Sequence, residues 1–177
     1  MRSKWLDPME EHQWLPDSLT GIDCDLDEYF DETRRVKTFA CAYAPGEDLE
    51  DDFEEICKLV FEYGRMLYVV EEAPLVLKAG YMPPVFGKIV RVGRHRQIDL
   101  LWTAQRAHEV SRTLTSATDV WVFFSQTEPR DLDSIAERCG REVADRVAHL
   151  GLHDHFTFDV IGREVIPNSP RLLKREV

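Results

Sequence analysis

The chain has 177 residues, 44% of them hydrophobic and 31% charged, with a formal net charge of −11, a composition that suits one soluble globular domain with a real core. No apolar run is long enough to span a bilayer, and Cys24, Cys41, Cys57 and Cys139 form no CxxC pair and follow no secretory leader, so reduced thiols are expected in a protein that is soluble and cytoplasmic or belongs to something assembled there. The charge is uneven: residues 1–62 hold 18 acids and 6 bases, residues 63–177 hold 15 acids and 16 bases.

In chain order, Ser3–Leu6 is a short apolar-leaning run stopped by Asp7-Pro8, and a polar stretch with turn signals at Pro16-Asp17 and Thr20-Gly21 runs on to Arg35. Its acids (Asp23, Asp25, Asp27, Glu28, Asp31, Glu32) lack the glycine and terminal glutamate of a calcium loop, so a surface loop or short helix is expected. Val36–Ala44 is rich in strand formers and ends at Pro45-Gly46. From Glu47 to Tyr63 the apolar residues Leu49, Phe53, Ile56, Val60 and Tyr63 recur at three- and four-residue steps before Gly64, which predicts an amphipathic helix. Met66–Val70 is a continuous apolar run, as for a strand covered on both faces of a parallel sheet, and the order strand, helix, strand predicts a right-handed parallel crossover. A loop through Gly80 and Pro83-Pro84 leads to a helix from Val85 to about His95, a strand at 98–104, a helix at 107–117 and a strand at 119–124. Pro129–Leu150 reads as a long helix or a pair meeting near Gly140, and Phe156–Ile161 with Gly162-Arg163 opens a terminal hairpin; beyond Pro167 a mobile tail is expected. There are no internal repeats.

The apolar run at 66–70 ends in two adjacent carboxylates, Glu71 and Glu72. A buried carboxylate is costly without a partner, so acids at the tip of a core strand point to holding a cation or handling a proton. Thr103 and Gln105 fall at the corresponding end of the 98–104 strand, and ligands bind at the C-terminal edge of open parallel sheets. Between and beyond these strands Lys88, Arg91, Arg94, Arg96, Arg106 and Arg112 face only Asp99 and Glu109. Such a basic zone can meet phosphate, and equally it can be a solvated helix face paired with the acidic half. The histidines 149, 153 and 155 lack a neighbouring cysteine and are broken by Gly151, Ser111 and Ser116 sit in no G-x-S-x-G elbow, and Trp102, Trp121, Phe123 and Phe124 read as core rather than base-stacking platforms.

Taken together, Leu67–Ala73, Gly93–Arg96, Ile98–Arg106, Val110, Ser111 and Pro129–Leu132 resemble, in order and spacing, the second half of a P-loop ATPase of the FtsK and HerA type, a superfamily with DNA pumps and the packaging or assembly ATPases of phages, the zonula-occludens-toxin-like group among them. The resemblance covers most of Val36–Leu150. It implies an α/β fold with a mostly parallel sheet and flanking helices, an incomplete RecA-like core over 1–167, with an acidic loop-rich opening at 1–35, the core at 36–150 and a tail at 168–177. It implies ATP hydrolysis coupled to DNA movement where a P-loop completes the site, this chain alone being expected to be inactive, with ATP and magnesium as cofactors, and a place in the cytoplasm, that of the host cell for a phage-encoded protein. Glu71, where the family more often has Asp, matches the acid of the Walker B strand that supports magnesium. Glu72 matches the general base that orients the attacking water, and Gln105 the polar sensor of the terminal phosphate. One of Arg91, Arg94 or Arg96, with Arg94 favoured, matches the residue presented to a neighbouring subunit's nucleotide, which implies a homo-oligomer.

No G-x-x-x-x-G-K-[ST] occurs in these residues, so the phosphate-cradling loop of the family is absent from them. Lys4–His12 resembles the family's segment after the P-loop helix, a strand ending in Asp-Pro, and the expectation is that the chain begins one strand and one helix late, either within a longer product or as a truncated relative. In the family's sheet the P-loop strand lies beside the Gln105 strand. Its loss predicts that Asp119–Phe124 moves to pair there, that a P-loop-containing partner fills the gap, or that the isolated chain is poorly soluble. The alternative to an ATPase is a non-catalytic module that completes a partner's site or binds DNA.

Overall fold

The computed structural model describes residues 2–6, 19–20 and 40–44 as backbone strands, and residues 48–77 and 80–166. The acidic stretch up to residue 35, Asp7-Pro8 and the tail lie outside the described residues. Two compact units are present, one made of residues 1–105 with 109–112, the other of 106–108 with 113–177.

The first unit is built on a parallel sheet, as the sequence predicts. Its strands β1 (Arg2–Leu6), β2 (Leu19–Thr20), β3 (Ala40–Ala44), β4 (Met66–Val70) and β5 (Ile98–Trp102) run in the order β2-β3-β1-β4-β5, every pair parallel. Between β3 and β4 the chain passes through helix α1 (Leu49–Tyr63), and the connection steps over β1, which lies between the two strands. The periodic residues of α1, Phe53, Ile56 and Val60 with Leu59 and Cys57, are buried. Glu50, Asp51 and Asp52 in its first turn sit at the positive end of the helix dipole. Gly64 ends it at φ 58° and ψ −167°, a conformation open to glycine, where a side chain would meet the Arg96 carbonyl. β4 is covered on both faces: Met66, Tyr68, Val69 and Val70 are all buried. Helix α2 (Pro84–Val92) starts on a proline at its first position and packs on α1, with the Phe53 and Phe86 rings 5.3 Å apart. It is shorter than the spacing predicts, because its last turn tightens to 3-10 geometry at Gly93–Arg96 and Gln97, at φ 57°, turns the chain into β5.

Beyond β5 the predicted helix at 107–117 is instead a 3-10 turn at Ala107–Glu109 followed by the short helix α3 (Arg112–Ser116). The second unit holds an antiparallel sheet of β6 (Val120–Phe124), β7 (His155–Asp159) and β8 (Glu164–Ile166) in that order, with α4 (Pro129–Cys139) and α5 (Arg141–Ala148) between β6 and β7. The helix pair meets at Gly140 and the terminal hairpin forms, both as predicted. Phe123, Ile135, Val143, Ala144, Val147, Phe156 and Phe158 make its core.

One expectation about pairing fails. The strand at 119–124 does not join the Gln105 strand; β6 and β5 lie in different sheets, and β6 pairs antiparallel with β7. The physical reason is local: Phe123 and Trp121, on one face of β6, pack into this unit's own core, with the Phe123 and Phe156 rings 5.6 Å apart across the β6–β7 ladder. Among the described residues β5 has one ladder partner, β4.

Candidate functional site

The parallel ladder between β4 and β5 does not stop with the strands. Thr103 N–H donates to the Val70 carbonyl at 3.0 Å and Ala73 N–H donates to the Thr103 carbonyl at 2.9 Å, so Glu71 and Glu72 are carried around a two-residue turn directly beside Thr103. Glu72 is left-handed, at φ 49° and ψ 50°. That conformation costs a residue with a Cβ about 1–2 kcal/mol. It is held by a bond from the Glu72 N–H to Thr103 Oγ1 at 3.1 Å and by the Glu72 carbonyl, which accepts Leu75 N–H at 2.8 Å and opens a 3-10 turn at Ala73–Leu75. Arg65, Gln97, His153 and Arg163 are left-handed too, so what sets Glu72 apart is its bond to Thr103 at the strand end rather than the conformation itself. Both glutamates are half-buried, and Gln105 is exposed two residues after Thr103. Glu71, Glu72, Thr103 and Gln105 therefore gather at the C-terminal end of neighbouring parallel strands.

Two hard carboxylates fit magnesium, which takes one or two protein carboxylates and fills its octahedron with phosphate oxygens and water. Among the described residues no group of three or more His, Cys, Asp or Glu could hold a metal ion by itself. The residues fit a magnesium ion that arrives with a polyphosphate, not a self-sufficient metal cage. The histidines near the end of α5 form no such group, Ser116 Oγ donates to the Thr113 carbonyl within α3, and Ser111 is buried. Of the aromatics read as core, Phe123 is buried, whereas Phe124 is 56% exposed on the opposite face of β6.

The three candidate arginines lie at the other end of the first sheet, where β4 and β5 begin, and the structure separates them by what they touch. Arg96 Nε donates to the Phe61 carbonyl at 3.0 Å and its Nη2 to the Glu62 carbonyl, so this cation closes the C-terminus of α1, with its guanidinium 5.8 Å from the Phe61 ring. The Arg91 guanidinium folds back over Gly87, where a Cβ would stand 3.0 Å from its Nη2. Arg94 is exposed in the tight turn before β5. Five residues of strand, about 16 Å, divide this end of the sheet from Glu72 and Thr103.

A cluster with no assigned role lies in the second unit. Asp131, in the first turn of α4, has no exposed surface. Its Oδ2 accepts Arg106 Nε at 2.8 Å, and its Oδ1 accepts the His108 N–H at 3.0 Å and lies 2.8 Å from His108 Nδ1. Burial alone would raise this carboxyl; the bonds from the His108 backbone and ring and from the Arg106 guanidinium outweigh it and hold the group below the ordinary carboxylate value. Arg138 Nη1 and Ser134 Oγ both donate to the Ala107 carbonyl, at 3.0 and 3.4 Å, so the whole segment 106–108 is pinned to α4. The one signal in the sequence was the Pro129-Arg-Asp131 start of a helix, which does not say what the acid meets 23 and 25 residues away.

No protein-family model and no curated protein sequence matches the chain. Solved structures do, and the class they define is the α/β fold of viral genome-packaging NTPases, matched here as a partial RecA-like core. The genome packaging NTPase B204 from Sulfolobus turreted icosahedral virus 2, in complex with AMPPCP, aligns with a TM-score of 0.77 and 18% identity over 96% of this chain and 83% of that chain. Its sulfate complex aligns with a TM-score of 0.78 and 18% identity over 96% of this chain and 82% of that one. B204, the DNA-packaging ATPase from Sulfolobus Turreted Icosahedral Virus, aligns with a TM-score of 0.66 and 15% identity over 93% and 95%. At these identities the shared property is the fold.

Proposed function

We propose that this chain is a genome-packaging ATPase of the FtsK and HerA kind, which hydrolyses ATP to move DNA as part of an oligomer. The observation that carries the reading is the Glu72 turn, locked to Thr103 at the C-terminal end of the parallel sheet. Similarity of fold to packaging NTPases captured with nucleotide analogues supports it.

In this reading Glu72 accepts a hydrogen bond from the attacking water and aims it, Glu71 takes a place in the magnesium shell, and Gln105 contacts the terminal phosphate. Magnesium, when bound with the triphosphate, supplies charge neutralisation at the phosphate oxygens. Catalysis by these residues is positioning and electrostatic stabilisation, with no covalent step on the protein. Arg94 lies too far along the strands to serve the Glu72 of its own chain, which supports its presentation to a neighbouring copy.

A labelled ATP analogue titrated with magnesium tests the reading. Wild-type protein is expected to bind saturably, and Glu72→Gln to bind within about threefold of it while losing about 10²–10⁴ in turnover. Equal turnover in the variant would remove Glu72 from the mechanism. A second reading is a non-catalytic ATPase-like module that completes a partner's site or binds DNA; these 177 residues hold no G-x-x-x-x-G-K-[ST]. Under it the purified chain binds no analogue until a P-loop-containing partner is added.

A further inference from the structure

We propose that Arg106 is the anchor of an anion site that reads a phosphoryl group, with Asp131 as the residue that orients it. The side chain is 42% exposed, while the carboxylate it meets has no exposed surface. A guanidinium whose sole task is to neutralise a carboxylate gains most from the two-pronged fork, with two N–H groups on two oxygens. Arg106 does otherwise. It gives Asp131 its Nε alone, because the second oxygen is taken by His108, and its two terminal amino groups have no hydrogen-bond partner among the described residues.

The mounting is tied to α4 at several points. Ala107 is fixed by Arg138 and Ser134, His108 by Asp131, and all four of these contacts lead into α4. A planar cation held at its inner nitrogen, with its outer prongs unpaired among the described residues and the backbone beside it hydrogen-bonded to α4, is preorganised for an anionic oxygen pair of the geometry that phosphate presents. The inference rests on the nucleotide reading only for the identity of the phosphoryl group, since Arg106 directly follows Gln105; the anion site itself stands on the Asp131 geometry.

The test is a titration of the full chain with pyrophosphate at constant ionic strength, followed through the side-chain Nε–H resonance of Arg106 by nitrogen-15 NMR. A saturable shift at Arg106 is expected, with pyrophosphate binding weakened about tenfold in Arg106→Lys, which keeps a cation for Asp131 but loses the fork, and absent in Arg106→Gln. A shift that does not saturate, a Lys variant that binds as wild type does, or binding that survives in Arg106→Gln with the remaining spectrum folded would each overturn the proposal. Saturable pyrophosphate binding in a chain that takes no ATP analogue would sink the nucleotide reading and leave this site standing. Nucleotide binding that leaves the Arg106 resonance unmoved would do the reverse.

Discussion

A carboxylate with no exposed surface and donors on both oxygens ties its own protonation to the integrity of the second unit. The Asp131 value is lowered in the folded chain, so the stability it contributes is fully present above the ordinary carboxylate value and is lost as pH falls through the lowered one. Asp131→Asn keeps the shape but replaces one acceptor oxygen with a donor facing Arg106 or His108, and is expected to cost about 1–3 kcal/mol at neutral pH. The acid limb of its unfolding midpoint against pH should also be shallower than that of wild type; an identical limb would mean that the carboxylate is not ionised in the folded state. At this scale the sequence was readable where function and backbone coincide. Glu71 and Glu72 follow an apolar run directly, so their place at a strand tip could be deduced. The Thr103 bond that fixes Glu72 follows once the two strands are neighbours. Asp131 could not be found in this way, because its worth comes from residues 23 and 25 positions earlier that have no periodic relation to it.

Several elements came out as expected from their own residues, although the helix expected at 107–117 is a 3-10 turn and a short helix, and the pairing of one strand did not come out as expected. The steps of α1, the break at Gly140 and the double burial of β4 each follow from the residues within them. The pairing of β6 does not: its alternation of Trp121 and Phe123 with Val120, Val122 and Phe124 says that one face is buried, not which strand lies alongside. Resemblance to a larger sheet pointed to β5, and packing against Phe156 selected β7. The open side of β5 makes a direct prediction for hydrogen exchange. Thr103 N–H points at β4, and by the two-residue period of a strand so do those of Leu101 and Asp99, whereas that of Leu100 points to the far edge, where no strand lies among the described residues. Slow exchange at Leu101 and fast exchange at Leu100 are expected in the isolated chain. Equal, strong protection at both would show that another segment closes this edge.

For the molecule as a whole, the proposed oligomer makes a prediction about which chain supplies each part of a site. If Arg94 of one copy serves the Glu72 of the next, the two residues belong to one site but to different chains. Glu72→Gln and Arg94→Ala chains, each inactive alone, are then expected to regain activity when mixed. In an equal mixture a site with both native residues, Glu72 from one variant and Arg94 from the other, arises at about a quarter of head-to-tail interfaces. ATP turnover in the assembled mixture should approach that fraction of wild type, and rise or fall with the mixing ratio. Two variants that stay inactive together would place Arg94 in its own chain's chemistry or outside the chemistry altogether, and the roughly 16 Å of strand between it and Glu72 makes the second of these the physical conclusion.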